Sequence, residues 1–102
     1  MSQYLFRLYL NADPEDSDRA CQIRDQVVYL LQSAAPPEFE LEVINVLADP
    51  DRAEADGILA TPTLVKIKPS PVQQVIGSFS DPSRVLPALE LAQPPAENGK
   101  RV

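Results

Sequence analysis

The sequence predicts a small α/β domain with the element order βαβ, short helix, ββ, helix. Three observations carry that prediction. Tyr4 to Leu10 is a nearly continuous apolar run of strand length, the pattern of a strand buried on both faces of a partly parallel sheet. Ala20, Ile23, Val27, Leu30, Leu31 and Ala34 then recur at helical spacing and make one apolar stripe. Two further strand-like runs follow, Phe39 to Leu47 and Thr63 to Lys68. At roughly 150 residues per domain, the 102 residues make one domain. Its expected bounds are 1–93, with 94–102 a frayed tail of prolines, glycine and charges that lacks any period.

Each element has a local cause. Asn11 to Asp16 holds Asp13-Pro14 and no large apolar residue, which makes it a turn. Ser17 or Asp16 caps the first helix, and Pro36-Pro37 ends it. The second strand starts by alternating, with Glu40 and Glu42 toward solvent, and is expected to bury its apolar second half. Asp49 as cap and Pro50 at the first helical position start a short helix that Gly57 stops. Pro69-Ser-Pro71 turns the chain after the third strand. Val72 to Gly77 reads as helix or as strand: helical spacing gathers Val72, Val75 and Ile76 and is the cleaner pattern, while β-branching favours strand. Asp81 or Ser80 caps a last helix with Val85, Leu86, Leu89 and Ala92 on its apolar side. Pro87 falls inside that helix and is expected to remove one hydrogen bond and kink it.

Composition narrows the function. There is no His, so imidazole acid–base chemistry and His metal ligation are excluded. The single Cys21 excludes an intrachain disulfide, a CxxC pair and a cysteine zinc site. Three glycines form no phosphate-binding loop. No apolar run approaches the ~20 residues that span a bilayer, and no signal peptide opens the chain, which together fit a reducing cytoplasm. A net charge of −6 disfavours nucleic acid and anionic membrane as partners. The balance points to a binding protein, not an enzyme, and to no cofactor or metal. The acidic set Asp13, Glu15, Asp16 and Asp18 lacks the spacing of a calcium loop and reads as a solvated helix start. Cys21 reads as a partly buried structural residue.

The element order matches a thioredoxin-like fold, with Thr61-Pro62-Thr63 at the cis-proline position of that fold. Several blocks then become recognisable. They are Gly57-Ile-Leu-Ala-Thr-Pro-Thr-Leu-Val-Lys66, Pro69-x-Pro-Val72, Val75-Ile-Gly77, Leu8-Tyr9-Leu10, Ser17-x-Arg19-Ala20, and Val43 to Leu47 with Pro50 beyond. Together they resemble the KaiB family of cyanobacterial circadian-clock proteins over about residues 4 to 91. The sensor domain of the clock histidine kinase SasA looks similar but matches less well. The resemblance implies a non-enzymatic adaptor that binds a KaiC-like hexameric ATPase and recruits or displaces KaiA-like and histidine-kinase partners. It also implies self-association at rest, and a C-terminal half able to pack as ββα in the thioredoxin-like form or as ααβ (βαββααβ overall). The partner surface it implies draws on Tyr9, Arg19, Glu40, Glu42, Pro62, Lys66, Gln73, Gln74 and Gly77. Arg19, Lys66 and Lys68 are the candidate cationic contacts, with Lys66 and Lys68 sharing a strand face with Leu64.

The departures from the family pattern cluster on that surface. Glu40-Leu-Glu-Val43 stands where members carry Ala-Leu-Lys-Val, and Gln73-Gln74 stand where they carry two arginines. Gly57 replaces a lysine. The departures point to a divergent paralogue. A stress-linked thioredoxin relative using the Cys21 thiol and a detached SasA-like sensor domain are the competing expectations.

Overall fold

The computed structural model describes residues 3–34 and 38–91. Seven elements follow in the expected order: β1 (Tyr4–Leu10), α1 (Asp18–Ser33), β2 (Phe39–Asn45), α2 (Pro50–Ala55), β3 (Thr63–Lys68), β4 (Gln73–Ile76) and α3 (Pro82–Ala88). The sheet order is β2-β1-β3-β4. β1 runs parallel to β2 and antiparallel to β3, and β3 runs antiparallel to β4. The apolar β1 is therefore central, which is why both of its faces are apolar. The expected tail at 94–102 and the expected helix residue Ala92 lie outside the described residues.

Side chains alternate across the sheet. Phe6, Leu8 and Leu64 point to one face, where Val27, Leu30 and Leu31 of α1 and Val85 and Leu86 of α3 seal them. Tyr9, Ile44 and Val65 point to the other, where only Ala53 of the six-residue α2 joins their buried cluster.

Caps behave as local chemistry dictates in two of three helices. Ser17 accepts from the Ala20 N–H, and Asp81 accepts from the Ser83 N–H. Asp49 occupies the N-cap position of α2, but its side chain makes no cap bond. Gly57 follows α2 with φ +69°, the left-handed geometry that glycine takes without strain. The Thr61–Pro62 peptide is cis, as expected, and so are Lys68–Pro69 and Ser70–Pro71.

Two expectations need correction. β2 stops at Asn45 and does not run on to Leu47, because the Asn45 carboxamide accepts from the Leu47 N–H and its carbonyl accepts from Ala48 and Asp49. Leu47 is left exposed. Within β2 only Ile44 is fully buried, so the expected burial of its second half is confined to one residue. The segment that reads as helix or strand is a strand from Gln73 to Ile76, in line with the expected ββ order and held by its ladder to β3. Pro87 lies inside α3, as expected, one residue before its end, and leaves the Ser83 carbonyl without the N–H that position 87 would otherwise supply.

Candidate functional site

Three of the expected contact residues converge. The Ser17 cap starts α1 so that Arg19 lies exposed in its first turn. Pro62 stands just before β3, and the Gly77 N–H donates to its carbonyl at 2.9 Å. Arg19, Pro62 and Gly77, with Ile23, Gln26, Ser78 and Phe79, line a groove of about 260 Å³. A smaller hollow of about 130 Å³ continues past Pro62 toward Asn11 and Ser17. Gly77 is required by close approach: a Cβ there would lie 2.9 Å from both the Phe79 ring and the Pro62 ring. The groove thus has an apolar floor, one exposed cation and amide and hydroxyl donors on its rim, an arrangement suited to recognising another chain.

The opposite sheet face carries a charge network. Arg7 donates to Glu42 at 3.0 Å and to Asp56 at 2.9 Å, and Arg52 pairs with the second Glu42 oxygen at 2.8 Å. The Tyr9 hydroxyl donates to the Asp56 carboxylate, and it also lies 3.2 Å from the Arg52 carbonyl. Gln74 donates from its side chain to the Asp56 carbonyl at 2.7 Å. Burial, then the hydrogen bond to Asp56, pushes the Tyr9 phenol up to about 12. Burial alone raises the Asp56 carboxyl, yet the hydrogen bonds from Tyr9 and Arg7 outweigh it and hold it below the usual carboxylate range. Glu42 is likewise held low, chiefly by the Arg52 hydrogen bond.

These placements change how several expected contacts read. Tyr9 is fully buried, so in this fold it anchors α2 and offers no surface to a partner. Lys66 does share a face with Leu64, but that is the face α1 and α3 cover, and Lys66 is only 2% exposed. It is not the solvent-facing cation its strand pattern suggested. Lys68 is exposed, beyond a register shift at Leu5/Phe6. Glu42 is half-exposed and committed to two arginines, whereas Glu40 on the same face is exposed. Gln73 lies opposite Lys66, and its buried Oε1 has no hydrogen-bond partner. Cys21 is half-buried with the Arg24 guanidinium 3.3 Å from Sγ. Among the described residues no cluster of candidate metal ligands forms, and no helix is long and apolar enough to cross a membrane.

Sequence reasoning missed the Arg7–Asp56–Arg52 network and the Ile23 and Phe79 walls of the groove. One signal was available. An arginine in the middle of an apolar central strand must find partners when it folds.

Comparison with known proteins follows the same lines. Residues 7–91 match the KaiB domain family. The chain is 45% identical over 89 residues to the circadian clock oscillator protein KaiB of Prochlorococcus marinus (strain MIT 9313), covering 86% of this chain and 71% of that protein. The solution structure of the N-terminal domain of Synechococcus elongatus SasA superposes with a TM-score of 0.67 at 26% identity, over 88% of this chain and 85% of that one. Mitochondrial thioredoxin 3 of Saccharomyces cerevisiae shares the fold at a TM-score of 0.61 and 19% identity, over 88% and 79% of the two chains.

Proposed function

This chain belongs to the KaiB domain family, and from that premise we propose that it is a non-enzymatic clock adaptor that binds a KaiC-like hexameric ATPase. The adaptor modulates the ATPase's phosphorylation cycle by recruiting or displacing KaiA-like and SasA-like partners. One observation supports this above the others: the chain has the thioredoxin-like packing, and the N-terminal domain of SasA has it too. Two proteins of one fold can compete for one docking site. The contact surface then comprises the groove formed by Arg19, Pro62 and Gly77, with Gln74 and Glu40 beside it. Tyr9, Glu42 and Lys66 act from within, through the position of α2 and the sheet. The adaptor works in the cytoplasm and carries no cofactor.

The test is light-scattering chromatography of the full chain with the KaiC-type ATPases of its own organism, in ATP. Co-elution at one copy per ATPase subunit is expected, with affinity weakened about tenfold by Arg19→Ala, as for a charged contact at an interface. Failure to associate with every such ring would overturn the proposal. Glu40→Lys probes the departure from the family pattern on an exposed side chain. Glu42→Lys does not, because it would place a third cation against Arg7 and Arg52.

A further inference from the structure

We infer that the groove at Arg19, Pro62 and Gly77 takes an extended acidic segment of a partner protein, one that sets a carboxylate on Arg19 and an apolar side chain against Ile23 and Phe79. The inference rests on reading the groove as a partner contact, and it names what the partner must present there.

The charge of the groove comes from one side chain. Among the described residues Arg7, Arg24 and Arg52 each pair with a carboxylate, and Arg84 donates to the Ile76 and Ser78 carbonyls. Arg19 holds no such partner among the described residues. It is exposed, and it lines both the larger hollow and the smaller one. No other charged side chain lines either hollow. The chain as a whole carries −6, so an acidic segment is repelled by most of the surface and attracted here. Asp18 shares the first turn of α1 and tempers that attraction, which keeps the ion pair at the strength of an exposed one.

The walls are held before any partner arrives. Ser17 caps α1 on one side. On the other, the Gly77 N–H bonds to the Pro62 carbonyl and Arg84 donates to the Ser78 carbonyl. A preformed groove loses little freedom on binding. Its size then selects the occupant. The two hollows, about 260 and 130 Å³, both fall below the ~300–1,000 Å³ of sites that hold drug-sized ligands or cofactors. Each suits single side chains. Ile23, Pro62 and Phe79 give the larger hollow its apolar surface, and the exposed Gln26 amide and Ser78 hydroxyl beside them are placed to bond a peptide backbone. Alternate residues of an extended chain point the same way at a spacing of ~6.6 Å, so an apolar and an acidic residue two positions apart enter together.

The test uses the full chain with no ATPase present. The probes are end-blocked alanine pentapeptides that carry Leu or Phe at one position and Glu two positions away, in either order. Their controls replace Glu by Gln, or Leu and Phe by Ala. In NMR titrations the Glu peptides should shift the backbone amides of Arg19, Ile23 and Gly77 saturably. They should bind about fivefold tighter than the Gln peptides, the upper end for an exposed ion pair. Arg19→Gln should abolish that preference, Arg19→Lys should retain it, and salt should reduce it. The Ala controls should bind more weakly than either apolar peptide, and the same spectra show that each variant is folded. Equal affinity for Glu and Gln peptides, a preference that survives Arg19→Gln, or no saturable shift with any peptide would each overturn the inference. Ring association is read separately. Peptides that fail on a chain that still binds the ring overturn this inference alone, and a chain that binds the peptides but no ring overturns the ATPase reading alone.

Discussion

On one face of the sheet Phe6, Leu8 and Leu64 lie sealed beneath a sixteen-residue helix and α3; on the other, Arg7, Glu42 and Tyr9 meet a six-residue helix through charges and hydrogen bonds. The first face buries apolar surface, which stabilises without regard to pH or salt. The second joins half-buried ions whose attraction depends on protonation and is partly screened. The long helix brings enough apolar stripe to cover its share of the sheet. α2 contributes one buried alanine, so its position depends on Asp56 and Arg52 reaching back to the strands. Two ways of holding a helix on one sheet should fail under different conditions.

The largest expected effect falls on the apolar face. Leu31→Ala in α1, which is fully buried, should destabilise the protein by about 3 kcal/mol in urea unfolding, the cost of lost transfer energy plus a cavity. Its loss should be the same in low and high salt. Next comes Asp56→Ala. It leaves the buried Tyr9 hydroxyl without its carboxylate partner and Arg7 with one partner fewer, and should cost about 1–3 kcal/mol. That loss should shrink as salt rises. If the two variants respond to salt alike, the contrast between the faces is wrong.

The smallest effects are in pH dependence. Asp56 and Glu42 titrate lower in the fold than the value near 4 of an unfolded carboxyl. Their stabilisation is complete above that value and is lost as pH falls through and below it. Tyr9 titrates higher in the fold, at about 12, than the value near 10 of an unfolded phenol. Its stabilisation is complete below pH ~10 and is lost as pH rises toward 12. The urea midpoint should fall at both extremes, and Tyr9→Phe should remove the alkaline fall alone. An alkaline fall that survives Tyr9→Phe would assign it to another group.

The groove and the network differ in how far the sequence revealed them. Arg19, Pro62 and Gly77 are punctuation residues: a first-turn position behind a cap, a turn proline and a glycine. Local chemistry marks such positions before any tertiary contact exists. Arg7 is 45 residues from Arg52 and 49 from Asp56 in the chain, and only the parallel β1–β2 pairing and the return of α2 bring them together.

By itself the sequence determined the order of the elements, a cap at Asp16 or Ser17 and another at Ser80 or Asp81, and the central place of β1. Each follows from the conformational preferences of a few neighbouring residues. Tertiary structure alone decided that Val72 to Gly77 pairs as a strand along β3, that the face bearing Lys66 is covered, and that Glu42 is spent on two arginines. Alternation along a strand tells which residues share a face. It does not tell which face a helix will cover, because that depends on where segments distant in sequence return to pack.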